Sequence, residues 1–135
     1  MQQTQVKPVT DDRLAELLAD AGEFFEDYLW NSDASDAARH VLAGDGLDDK
    51  VIRRFGVGYA PVGPDELMDH LRERGYSTEE IVDSGLARVS GRGRAHAYFR
   101  SRIMFPIRDR DGRTLGFAGL GTHLGPSWPM WVISP

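Results

Sequence analysis

A chain of 135 residues with a net charge of −5 and 41% hydrophobic side chains is long enough for one ordinary core, so one domain is the default. No run reaches the roughly 18 apolar residues of a membrane span, and MQQTQVKPVTDD lacks the basic-then-apolar layout of a signal peptide. A cytoplasmic location without a membrane partner is therefore expected, and the absence of cysteine excludes disulfides, thiolate zinc sites and cysteine nucleophiles.

Residues 1–10 are polar and expected to be flexible, leaving 11–135 as the folded unit. Leu14, Leu17, Leu18, Ala21, Phe24, Phe25, Tyr28 and Leu29 recur at three- and four-residue steps, which lines one face of a helix. Asp11 and Asp12 suit its positive end. Asn31-Ser32-Asp33 interrupts the pattern, and Ser35 or Asp33 is placed to cap a second helix carrying Ala38, Val41 and Leu42 toward Gly44. Leu47, Val51, Ile52 and Phe55 mark a third, short helix. At Gly56 the period changes: GVGYAP reads as a short strand ending at Pro61, and VGPDE as a loop. Leu67, Met68, Leu71 and Gly75 read as a helix with a glycine stop, and Ser77-Thr78-Glu79-Glu80 as the start of its partner in an αα-hairpin. Beyond Gly85 strand chemistry takes over. Ile103, Phe105 and Ile107 alternate with Met104 and Pro106, DRDG turns the chain, and Thr114 to Phe117 returns it, with a further short strand at Met130 to Ile133. Pro106 places its strand at an edge or an irregularity. The fold class is thus α+β, helical in its first two thirds, with a small mixed or antiparallel sheet in the last third.

Charge is unevenly placed along this layout. Residues 1–87 hold 8 Lys/Arg against 19 Asp/Glu (net −11), residues 88–113 hold 8 against 2 (net +6), and the last 22 hold none. Every base in the middle segment is arginine, whose planar fork of donors suits phosphate. If Ile103, Phe105 and Ile107 face the core, strand alternation puts Arg100, Arg102 and Arg108 on the opposite face as a stripe fit for a sugar-phosphate backbone. The alternative is that these arginines pair with the acidic helices. Gly91-Arg92-Gly93-Arg94 reads as a flexible loop presenting Arg92 and Arg94 to a polyanion. Neither it nor Gly116–Gly121 has the lysine and following helix of a triphosphate loop. The four histidines share no metal-ligand spacing, no serine sits in a nucleophile elbow, and the paired carboxylates fall at helix starts, where they offset the dipole.

The run Ala38-Arg39-x-x-Leu42, then Gly46-Leu47, Ile52 and Phe55-x-Val57-Gly58-Tyr59-Ala60-Pro61, begins a longer pattern. It continues as Phe99-Arg100-x-Arg102-Ile103-Met104-Phe105-Pro106-Ile107-Arg108-Asp109, Gly112-Arg113-x-x-Gly116-Phe117 and Ser134-Pro135. From about Phe24 to the last residue it resembles bacterial DnaG-type DNA primase, in the part of the RNA polymerase domain that precedes the Toprim fold. The resemblance implies a parent nucleotidyltransferase that lays short RNA primers on single-stranded DNA from ribonucleotides. Here it implies one wall of the basic groove for template and primer. Arg54, Arg100 and Arg102 would be groove arginines contacting phosphate without reading bases. No metal is expected on this chain. Mg2+ or Mn2+ would belong to the Toprim domain, which is the expected packing partner, and a replicative helicase would be met through the parent protein. Alone, the chain is expected to be inactive.

Some positions depart from the family pattern. Leu120 stands where an arginine is usual after the glycine-rich run, Met130 where a lysine is usual, and His96-Ala97-Tyr98 where Y-D-R is usual. These departures, with Trp128, Met130 and Trp131 near the end, support a rival expectation: a non-catalytic, primase-derived module that meets a protein partner.

Overall fold

The longest periodic segment forms α1 (Asp11–Asn31), which buries Leu17, Leu18, Ala21, Phe25 and Leu29 along one side. The computed structural model describes residues 11–121 and 131–133, so the expectations for 1–10, His123, Trp128, Met130 and Ser134-Pro135 lie outside the described residues. The second helix, α2 (Asp36–Gly44), is entered differently from the expected Ser35 or Asp33 cap. Ser32 caps a single 3-10 turn, Asp33–Ser35, by accepting from the Ala34 amide at 3.2 Å. Ser35 is buried and its hydroxyl is turned to the Tyr28 carbonyl, to which it donates at 2.7 Å, and it accepts from no amide of α2. The third helix, α3 (Asp49–Arg54), is capped by Asp48, which accepts from the Val51 amide at 2.9 Å. The expected αα-hairpin is α4 (Glu66–Glu73) and α5 (Thr78–Asp83).

Strands β1 (Gly58–Ala60), β4 (Arg102–Arg108), β5 (Thr114–Gly121) and β6 (Trp131–Ile133) form one sheet in the order β1-β4-β5-β6, antiparallel throughout. Between α5 and β4 the chain makes a separate hairpin, β2 (Ala87–Val89) with β3 (Ala95–Ala97), where no strand is expected from the sequence pattern. Pro106 is tolerated because β1 pairs with β4 only from Arg102 to Met104, so the proline falls where β4 has a paired neighbour on one side among the described residues. The DRDG turn is closed by Asp109, whose carboxylate accepts from the Asp111 and Arg113 amides at 2.9 and 3.0 Å, with Gly112 at φ +86°.

Two apolar clusters flank the sheet. Leu17, Leu18, Ala21 and Phe25 of α1 join Met68, Leu71, Ile81, Met104 and Phe117 in one, and Leu29 joins Leu42, Ile52, Tyr59 and Ile103 in the other. α1 therefore contributes to both. It meets the sheet at Gly58, where an added Cβ would lie 2.5 Å from the Phe25 Cβ and 2.6 Å from its carbonyl oxygen. Backbone cannot move aside as a flexible side chain can. Gly58→Ala is expected to destabilise the fold by about 3 kcal/mol, the upper end of overpacking costs, seen as a lower urea midpoint at unchanged m.

The start of α5 is tied to the start of α1. Ser77 accepts from the Glu80 amide at 3.1 Å while Glu80 accepts from the Ser77 amide at 2.9 Å, a reciprocal capping box. Glu80 also takes the Arg13 guanidinium at 2.7 Å. The Arg13 bond, then the Ser77 amide, hold the Glu80 carboxyl down at about 2 against an ordinary 4.5. A depressed carboxyl stabilises the fold fully above pH 4.5 and stops doing so as pH falls toward 2. The stability gap between wild type and Glu80→Gln should accordingly be widest near neutrality and shrink between pH 4.5 and 2 in denaturant titrations.

Candidate nucleic-acid interface

The basic middle segment, residues 88–113, enters the fold through the β2–β3 hairpin. Its turn is closed by the Ser90 amide to the Arg94 carbonyl at 2.8 Å and by the Gly93 amide to the Ser90 carbonyl at 2.9 Å. Arg92 and Arg94 sit exposed on this turn. Ala87 and Ala97, paired across the hairpin, turn inward and are buried. Arg88 and His96, the next pair, take the other face, where the Arg88 guanidinium lies 4.2 Å over the Tyr98 ring.

The segment after β1, residues 61–65, is gripped by the chain from Arg94 to Ser101. Arg94 donates to Asp65 at 2.9 Å, the Ala97 amide to the Pro64 carbonyl at 2.9 Å, and Arg100 Nε to the Val62 carbonyl at 2.8 Å. Arg94 and Arg100 are thereby brought to opposite ends of one five-residue segment, both exposed, with Arg92 on the same hairpin turn as Arg94. One carboxylate, Asp65, already shares the Arg94 charge. Arg54 lies apart, exposed in the last turn of α3 where the chain leads into β1, whereas Arg100 stands beside the far end of that strand.

Arg102 differs from the other four. It is 5% exposed, donates to the Gly119 carbonyl at 3.2 Å, and has its pKa lowered by desolvation. A Cβ on Gly119 would stand 2.9 Å from the Arg102 Cδ and 2.8 Å from the Phe99 ring, so the missing side chain makes room for both. The single exposed stripe drawn from alternation does not form. β4 is covered on both faces at Ile103 and Met104, and only its far end, at Ile107 and Arg108, is open. Arg53 and Arg13 are also engaged locally, over the Trp30 ring at 4.0 Å and the Tyr76 ring at 4.3 Å.

Among the described residues, no group of three or more His, Asp or Glu is arranged to hold a metal ion, so no metal-assisted step is derived from them. No described helix is long and apolar enough to cross a membrane. Two features of this region escape the sequence pattern: the Arg88–Tyr98 stack and Ser101, whose φ of +54° makes it the one described non-glycine residue in the left-handed region. The stack depends on a hairpin that the pattern hides, and serine is no signal for a left-handed backbone.

The family described as the DNA primase catalytic core, N-terminal domain, matches residues 24–123. The DNA primase of Pseudomonas aeruginosa is 39% identical over 127 residues, covering 93% of this chain and 19% of that protein. That of Escherichia coli K12 is 33% identical over 132 residues, covering 98% and 22%. The chain thus spans about a fifth of the length of these curated relatives. The RNA polymerase domain of Mycobacterium tuberculosis primase DnaG superposes with a TM-score of 0.87 at 31% identity, over 95% of this chain and 41% of that one. A DnaG primase catalytic domain solved with bound single-stranded DNA superposes at 0.80 with 33% identity, over 90% and 38%.

Because Arg100 is exposed and Arg102 is buried, their removal should separate. Arg102→Ala is expected to cost about 2–3 kcal/mol of stability through lost packing and an orphaned carbonyl, and Arg100→Ala less than about 1 kcal/mol, both read from urea unfolding.

Proposed function

We propose, from the premise that this chain belongs to the N-terminal domain family of the DnaG-type DNA primase catalytic core, that it forms one wall of a basic groove guiding single-stranded template and RNA primer during primer synthesis. The observation that carries the reading is the convergence of Arg94 and Arg100 on segment 61–65, with Arg92 on the same hairpin turn as Arg94, in a fold shared with a primase domain solved with bound single-stranded DNA. Exposed guanidinium groups attract phosphates without reading bases, so the contact is salt-dependent and indifferent to sequence. Arg54 extends the same contact from the end of α3. Arg102 serves the wall from inside, holding β4 to β5. Phosphoryl transfer and its divalent metal belong to the Toprim portion of the longer enzyme, with a replicative helicase met through the same parent.

Toprim is also the proposed packing partner. Phe55, Ile107 and Ile133 are 59%, 39% and 61% exposed, and Phe105, Ala118 and Ile133 stand in register across β4, β5 and β6. That apolar row favours the second reading, a primase-derived module whose duty is protein contact alone.

Fluorescence anisotropy with a labelled single-stranded oligonucleotide at low salt separates the two. Groove binding predicts that Arg100→Ala weakens affinity roughly fivefold for every sequence tried and lowers the log–log salt slope by about 0.7. A wild-type chain that ignores the strand but captures a Toprim polypeptide, and releases it on Phe55→Ser, supports the interaction module instead.

A further inference from the structure

Residues 100 and 102 are two apart, and in a continuous strand they would share a face. They do not: Arg100 is exposed and bonded to the Val62 carbonyl, while Arg102 is 5% exposed and bonded to the Gly119 carbonyl. The residue between them is Ser101, at φ +54°. Its amide is directed at the end of β1, 3.0 Å from the Ala60 carbonyl and 3.3 Å from that of Pro61.

A left-handed serine carries a steric penalty that glycine escapes and asparagine or aspartate feel less. Such a backbone persists only where its surroundings over-determine it, and it is informative when it adjoins a working surface. Here the surroundings are identifiable. Phe99 is buried on one side of Ser101 and Arg102 on the other, and the Ser101 amide is clamped to β1. The chain must pass from the end of the hairpin into β4 with both neighbouring anchors fixed, and the left-handed turn is where the face changes.

We propose that Ser101 is a positioning residue for strand binding: its left-handed backbone divides the two arginines, sending Arg102 inward as a brace and Arg100 outward onto segment 61–65, where it meets phosphate. The role belongs to the backbone conformation, which glycine adopts without the steric cost. The inference rests on the reading of Arg100 as a strand contact, but the geometry it asserts exists without DNA.

Two substitutions test it in the 135-residue chain. Ser101→Gly accepts the left-handed conformation and should keep both the affinity and the salt slope. Ser101→Val, β-branched and ill-suited to positive φ, should weaken binding as much as Arg100→Ala does and lower the salt slope by about 0.7. Adding Arg100→Ala to the valine variant should then cause no further loss, the non-additivity expected of residues acting through one contact. A readout independent of DNA is the Arg100 side-chain Nε–H resonance. Bonded to the Val62 carbonyl, it should exchange slowly with water in wild type and Ser101→Gly and rapidly in Ser101→Val. Slow exchange in the valine variant, or additive losses, would overturn the proposal. If the valine variant does not fold, the glycine variant still decides: an altered slope or a lost Arg100 resonance would mean that the hydroxyl, and not the backbone, holds the arginine. If wild type binds no strand, the groove reading falls while the resonance arm still judges Ser101.

Discussion

The sheet can lie on α1 only because Gly58 has no side chain. Any Cβ there would enter the backbone of α1 at Phe25, and the separation of β1 from α1 sets the height of everything hung from β1. Ala60 pairs with Arg102 across the β1–β4 ladder, and the Ala60 carbonyl receives the Ser101 amide. Segment 61–65 leaves from the end of β1 and becomes the shelf that Arg94 and Arg100 hold. A contact without chemistry of its own thus determines where the charged side chains stand. Local packing and surface charge are linked here through three residues of strand.

β4 is the structural divide. Ile103 faces the cluster built on Leu29, Leu42 and Ile52, and Met104 the cluster built on Phe25, Met68 and Phe117, so the strand is buried on both sides where β1 covers it. Such a strand leaves no room for a polar face, which is why Arg102 is drawn into the interior with its donors turned to a carbonyl of β5. Only past Met104, beyond β1, does the strand reach water, at Ile107 and Arg108. The Arg108 guanidinium there lies against Gly56, and its charge reaches Glu26, whose pKa is raised first by burial and held back by Arg108.

What was legible in the sequence were the features that express themselves over several residues at once. The three- and four-residue spacing from Leu14 to Leu29 reported α1, and Ser77 with Glu80 reported the cap of α5, because each depends on one repeated or reciprocal interaction. The ordered primase motifs carried the family. The β2–β3 hairpin was hidden because its inward positions include Ala87, Ala95 and Ala97, too small to show alternation, while its turn residues Gly91 to Arg94 resembled a loop. Ser35 misleads for the opposite reason. It is a good capping residue by type, yet its hydroxyl donates to a carbonyl of α1 and accepts from no amide of α2. The sidedness of Arg100 and Arg102 was illegible because one backbone angle, at a residue type that does not advertise it, reverses the face. Pattern arguments assume continuity, and the interface is built where continuity is broken.

The acidic run of α1 has a consequence for kinetics. Asp11, Asp12, Glu16, Glu23 and Asp27 are exposed along a 21-residue helix, while Arg94 and Arg100 hold segment 61–65 with Arg92 exposed on the neighbouring turn. The exposed carboxylates and the exposed arginines are separate features of a chain whose net charge is modest. A polyanion approaching those carboxylates is repelled over about one Debye length, roughly 8 Å at physiological ionic strength. For the proposed groove, those carboxylates would disfavour encounters made through α1, an influence on association rate that vanishes as salt is added even where the final contacts remain the same.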